Sequence, residues 1–436
     1  MSSSFTHTAA GTDRRTVAAS ALLAGGLLLT GGAGVARARG RTRARARDRA
    51  QGPARPAAGL TLRLPAPTGP HPLGVTTLYL VDRSRRDPWD AGIPVRELMV
   101  TVFYPAREVR GLPVAPQMTE RAAAAFAGID VRVHHLPAAG VDWAATLTHA
   151  HPGAPAQPVR RPVLLYSPGG GDPRTLGTGL AEELASHGHV VVSVDHPGDA
   201  GEVDFPGTTP YRADPVRTTV LRDDPRRDPA RFRTLIDTRI ADLRFVRDQL
   251  AVLAAGGSPD AAGRALPEHL GRALDLRRVG LYGHSAGGTA VAEALYEDRR
   301  FAAAANLEGY LDHPPERPGP GRAGELYPVA RYGTDRPLLL LGSAEFIGAR
   351  GRRELEHSWS AMLAHPRGRT LRRQIDRAAH WVFTDYAALA PALQAAGLMT
   401  AADRNALTGP VGPARAVPEV RHHLRAFFTR QLSRNG

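Results

Sequence analysis

The stretch "VGLYGHSAGGTAVAEAL", Val279 to Leu295, sets one serine between glycines, after an apolar run and before a helix-like segment. Gly283-His284-Ser285-Ala286-Gly287 has the spacing of a nucleophilic serine. Its hydroxyl must stand on a tight strand-to-helix turn, so small residues flank it, and the helix N-terminus favours negative charge beside it. In a chain with 46 glycines the five residues alone are a weak signal, and it is their place between strand and helix that gives them weight. A serine hydroxyl is a poor nucleophile without a base, and the base needs a carboxylate to hold its tautomer. Of the later histidines, His313, His357, His365, His422 and His423 fall in or beside other segments, whereas His380 lies in a loop just after the last strand-like run. Glu308 and Glu345 end successive strands at one sheet edge, and Asp312 stands just beyond Glu308. Either glutamate could orient the histidine.

The elements that must position these groups read as alternating strands and helices. "RPVLLYS" (161–167) and "HVVVSVDH" (189–196) are short apolar runs bounded by Gly and Pro, as expected of strands buried on both faces. Between them "TLGTGLAEELASHG" (175–188) predicts a helix ending at Gly188. Residues 233–255 place Ile236, Ile240, Leu243, Val246, Leu250 and Leu253 on one helical face. Further strands are expected at 277–283, 301–308, 336–345 and 370–376, with a closing helix over 419–432. "LMVTVFY" (98–104) reads as a strand near a sheet edge. The sum is an α/β chain, a mostly parallel sheet covered by helices on both faces. Residues 197–232 and 386–416 interrupt the alternation and are expected either to shape a binding site, 386–416 as a lid, or to elaborate the surface.

Composition limits the function classes. The 436 residues hold no Cys, which excludes disulfides, a thiolate nucleophile and a lipoprotein anchor. All 56 basic side chains are arginine. Residues 1–55 carry ten Arg against two Asp, so +8 of the net +14 lies in one terminal segment and the remainder lacks the basic excess of a nucleic-acid-binding domain. Arg14-Arg15, a glycine-rich apolar stretch from Val17 to Val35 and Ala36-Arg37-Ala38 follow the order of a twin-arginine export signal, so residues 1–38 are expected to engage the twin-arginine translocase and be cleaved, giving a secreted protein. Residues 39–58, "RGRTRARARDRAQGPARPAA", can bury nothing and read as a solvated linker. Residues 39–57 could touch anionic lipid or cell-wall polymer. Residues 59–436 form the expected catalytic domain.

"YSPGGGDPRTLGTGLAEELASHGHVVVSVDHPG", "GLYGHSAGG", "NLEGYL", "LLLLGSAEF" and "HWVFTDY" together resemble the bacterial platelet-activating-factor acetylhydrolase branch of the α/β-hydrolases, over roughly residues 70–386. The resemblance implies an α/β-hydrolase fold, a carboxylic ester substrate with short-acyl lipids or small soluble esters favoured, and no metal or organic cofactor. It assigns the acid to Glu308 rather than Glu345, the base to His380, and the oxyanion-hole donors to the backbone N–H groups of Gly170 and Ala286. Two departures stand out: the family usually has Asp at the position of Glu308 and often His at that of Pro168. Asp195 and His196 could line the pocket or serve the strand end.

The expected reaction is acyl transfer from an ester through Ser285 to water, by a Ser-His-Glu triad. Two other readings compete: a non-catalytic envelope-binding protein on a hydrolase scaffold, which would turn over no ester, and a peptidase or amidase with the same triad, which would cleave peptides.

Overall fold

The computed structural model describes residues 59–317, 323–346, 348–365 and 368–433. The proposed export signal (1–38) and the whole Arg-rich linker (39–58) lie outside them. The described residues all belong to one unit, Arg55–Gly436.

In chain order the strands are β1 (Leu73–Asp82), β2 (Arg96–Pro105), β3 (Ala150–Pro152), β4 (Arg161–Ser167), β5 (Val190–Val194), β6 (Glu202–Asp204), β7 (Val216–Thr218), β8 (Leu274–His284), β9 (Ala303–Leu307), β10 (Leu338–Glu345) and β11 (Thr370–Ala379). The helices are α1 (Glu120–His134), α2 (Thr178–Ser186), α3 (Pro229–Ala254), α4 (Ala286–Glu297), α5 (Pro328–Tyr332), α6 (Gly348–Leu363), α7 (Tyr386–Ala395), α8 (Ala401–Thr408) and α9 (Pro413–Gln431). Nine strands form one sheet in the order β11-β10-β9-β8-β4-β5-β2-β1-β3, parallel from β11 to β5, with β2 antiparallel to both β5 and β1. Residues 98–104 were expected near an edge, but β2 is an interior strand: β1 and the three-residue β3 lie beyond it.

The continuous apolar runs are explained by the two covered faces. On β4, Val163 and Leu165 join α3 and α4 in one core, while Leu164 and Tyr166 join α2 and α9 in another. β5, β9 and β10 split their residues between the same two cores, so each successive side chain needs to be apolar. This is the sheet of an α/β-hydrolase. Crossovers through helices bring the C-terminal ends of β4, β8, β9 and β10 to one edge, which is where ligands meet open α/β sheets.

The two interrupting segments are partly interior. Residues 197–232 contain the β6–β7 hairpin, with Val203 and Phe205 buried against Met99. Residues 386–416 contain α7 and α8, whose Leu389, Leu393 and Leu407 pack with Phe126 of α1 and Trp143 in a third core.

Candidate active site

Ser285 sits between β8 and α4 with φ 53° and ψ −120°, a backbone conformation that costs a non-glycine residue about 1–3 kcal/mol. Its N–H donates to the Leu307 carbonyl at 2.9 Å, which ties the turn to the end of β9. The surrounding turn leaves no room for side chains. A methyl group on Gly287 would lie 2.0 Å from the Ser167 carbonyl oxygen, and one on Gly283 would lie 2.4 Å from the Gly287 backbone. Both glycines are therefore required by close approach of strand and helix.

The next residue after β9 is Glu308, fully buried and also in the left-handed region, with φ 62°. One carboxylate oxygen, Oε2, accepts from His380 Nδ1 at 2.8 Å. The other, Oε1, accepts from the Ser343 hydroxyl at 2.7 Å and from the Ser343 backbone N–H on β10. Asn306 braces this corner by exchanging side-chain hydrogen bonds with the backbone of Gly309. With Nδ1–H given to Glu308, His380 Nε2 carries the lone pair that can take a proton.

His380 follows β11 and is buried, its ring 4.5 Å from that of His284 and 5.1 Å from that of Phe346. His284 Nε2 donates to the His380 carbonyl at 3.0 Å, so the residue before the serine also fixes the backbone of the histidine. Burial, and then the neighbouring His284, lower the His380 pKa from the ordinary 6.5, with Glu308 acting in the opposite sense.

The structure thus brings Glu308 and His380 together at the edge that carries Ser285. Glu345 is exposed, and its backbone pairs with Ala379 across the β10–β11 ladder. Asp312 is engaged elsewhere, accepting from Arg226 at 3.2 Å, and burial pushes its carboxyl up to about 6.

Gly170 and Ala286 are neighbours: a methyl on Gly170 would lie 3.6 Å from the Ala286 Cβ. Ala286 N–H is the first of α4, where no intrahelical acceptor exists. The loop bearing Gly170 is held by Arg239 of α3, a fully buried guanidinium that donates to the carbonyls of Pro168 and, at 2.8 Å, Gly169. A trans peptide points its C=O and N–H in opposite directions, so the Gly169 carbonyl held by Arg239 turns the Gly170 N–H away from the core. Asp199 completes the clamp, accepting from Arg239 at 2.6 Å and from the Gly171 N–H at 3.0 Å.

Asp195 and His196 do not face an open pocket. Both are buried; Asp195 pairs with Arg174, and His196 bridges Ser167 Oγ at 2.9 Å and Asp242 at 3.0 Å. Sequence reasoning missed Arg239, Asp199 and Ser343. A signal existed for the first: Leu235, Arg239 and Leu243 recur every four residues, so an arginine occupies the apolar stripe of α3.

Arg239→Met is expected to lower kcat about 10²-fold with KM little changed, because the loop amide loses its orientation. Steady-state kinetics with circular dichroism as a folding control checks this, and a folded variant within twofold of the parent kcat would refute the positioning role.

No protein-family model matches the chain. A curated relative, a probable 1-alkyl-2-acetylglycerophosphocholine esterase of Arthroderma benhamiae, is 25% identical over 384 residues, covering 84% of this chain and 87% of that protein. A solved structure, a ferulic acid esterase from Streptomyces cinnamoneus, is 32% identical with a TM-score of 0.62, covering 86% of this chain and 97% of that one. With the parallel sheet and the serine turn already in place, these two similarities establish that the chain is a carboxylic ester hydrolase of the α/β-hydrolase fold, similar to the 1-alkyl-2-acetylglycerophosphocholine esterase over most of its length.

Proposed function

We propose that the protein hydrolyses carboxylic esters with short acyl groups, on lipids or small soluble alcohols, through a Ser285–His380–Glu308 triad and an acyl-enzyme. The observation that carries this reading is the 2.8 Å pairing of His380 Nδ1 with a buried Glu308 at the sheet edge where the strained Ser285 turn lies. His380 Nε2 takes the Ser285 proton as Oγ attacks the ester carbonyl. Gly170 and Ala286 donate their N–H groups to the oxyanion, and Glu308 stabilises the imidazolium. The proton then passes to the leaving alcohol. Water, deprotonated by the same histidine, releases the acid and restores the serine.

The two relatives are named for very different acyl groups, acetyl and feruloyl, so the acyl pocket is the feature to measure. Turnover of p-nitrophenyl acetate, butyrate and octanoate, with methyl ferulate alongside, is expected to favour acetate and butyrate. A preference for octanoate or ferulate would overturn the short-acyl assignment while leaving the esterase in place.

The base works only when neutral, and its pKa is lowered, so kcat/KM is expected to rise with pH through a single ionisation below pH 6.5 and to be flat above it. A pH profile on a non-ionising ester checks this; an acid limb above pH 7 would contradict the assigned environment of His380.

The reading also includes export by the twin-arginine route and adhesion through the Arg-rich segment. Deleting residues 39–57 is expected to weaken binding to anionic vesicles without altering turnover of a soluble ester, as cosedimentation would report. Unchanged vesicle binding would remove the adhesion.

A further inference from the structure

The arginine that holds the Gly170 loop is itself held from beneath. Arg239 Nη1 donates to Ser167 Oγ at 3.1 Å. Ser167 Oγ stands 2.9 Å from His196 Nε2, and His196 Nδ1 stands 3.0 Å from Asp242 Oδ2. Asp242 also accepts from Arg96 Nε at 3.2 Å, from Arg96 Nη2 at 2.8 Å and from Arg85 at 2.9 Å. These groups meet at the C-terminal edge of the parallel strands: Ser167 ends β4, His196 follows β5, Arg239 and Asp242 lie one turn apart on α3, and Arg96 opens the antiparallel β2.

The donors and acceptors fix the direction of each bond. A carboxylate only accepts, so His196 Nδ1 carries the proton given to Asp242. Burial, and then Arg239, lower the His196 pKa to about 4, with Asp242 acting in the opposite sense. The ring is therefore neutral at neutral pH and its Nε2 offers a lone pair. Ser167 donates its one hydroxyl proton there, which leaves only lone pairs on Oγ for Arg239.

Ser167, His196 and Asp242 thus repeat the bonding order of a catalytic serine, histidine and acid. All three are 0% exposed and Oγ already receives a guanidinium N–H, so no ester reaches it and the group is not a second nucleophile. What it supplies is an acceptor locked toward Arg239. Buried charges are costly unless bonded on every side, and this relay bonds them in a line that ends at the Pro168 and Gly169 carbonyls.

We infer that Ser167, His196 and Asp242 are positioning residues for ester hydrolysis, which aim Arg239 and, through it, the Gly170 N–H at the oxyanion. The inference rests on the assignment of that N–H as an oxyanion donor.

The test is a double-mutant cycle on p-nitrophenyl acetate hydrolysis by the full chain, with Ser167→Ala, Arg239→Met and the two combined, and circular dichroism as the folding control. Ser167→Ala is expected to lower kcat about tenfold with KM unchanged, part of what losing a whole oxyanion donor costs. Added to Arg239→Met it should cost at most about twofold more, because the relay acts only through the guanidinium. His196→Phe, which keeps a ring and removes its bonds, should repeat both results. Arg239→Lys, which keeps the charge beside Asp199 but has one nitrogen for four acceptors, gives a second background for the cycle. Ser167→Ala at the parent kcat, a loss carried by KM, or a full tenfold loss on top of Arg239→Met would each overturn the relay while leaving the role of Arg239 intact. Arg239→Met at the parent kcat would overturn the assignment of the Gly170 loop, and the relay with it.

Discussion

Ser285→Ala yields a folded protein whose ester turnover is lower by on the order of 10⁴-fold or more. The magnitude follows from the role: without Oγ no acyl-enzyme forms, and what survives is the help that the Gly170 and Ala286 amides give to direct attack by water. The fold should survive because the side chain carries none of the turn's contacts; the ties to β9 and α4 run through the Ser285 backbone N–H and carbonyl. Ser285→Gly separates chemistry from strain. It should be equally inactive yet somewhat more stable, since glycine adopts φ 53° without penalty. Thermal unfolding and p-nitrophenyl acetate kinetics on the pair check both statements, and an alanine variant with a tenth of the parent rate would rule out the serine as nucleophile.

The two glutamates should behave very differently. Glu308→Gln is expected to reduce kcat by about 10³- to 10⁴-fold, since the amide offers His380 Nδ1 the wrong partner and no negative charge for the imidazolium. Ser343, which now gives its hydroxyl and N–H to Oε1, would hold the glutamine in place, so the loss should be chemical rather than a collapse of the corner. Glu345→Gln should stay within about twofold of the parent, because its side chain is exposed and His380 Nδ1 is already bonded to Glu308. Side-by-side kinetics decide it. A larger loss at Glu345 than at Glu308 would move the acid to the end of β10.

Much of this arrangement was legible in the chain. The parallel strands announced themselves because two covered faces favour apolar side chains on both, so Val163–Tyr166 of β4, Val190–Val192 of β5 and Leu338–Leu341 of β10 read as apolar runs. Ser285 was visible because its turn tolerates only glycine two positions before and two after it, at Gly283 and Gly287, a steric demand written as a five-residue pattern. β1 was not foreseen: Thr76, Thr77 and Tyr79 are only partly buried, and "LGVTTLYLVD" lacks the continuous apolar run of the central strands. For the same reason β2 was expected near an edge that in fact lies two strands further out. The choice between Glu308 and Glu345 was hidden as well, because both end strands on one edge. What separates them is a left-handed residue after β9 and a side chain folded under Ser343, neither of which spacing encodes. The arginine that clamps the loop bearing Gly170 was hidden in a helix stripe that otherwise reads as ordinary core.

The most direct test of the central claim is stoichiometric labelling of residues 39–436 with a fluorophosphonate ester probe, read by intact mass and peptide mapping. The account requires one adduct per chain, on Ser285, with loss of ester turnover in proportion to labelling. A folded, ester-hydrolysing protein that carries its adduct on another residue, or none at all, would contradict it.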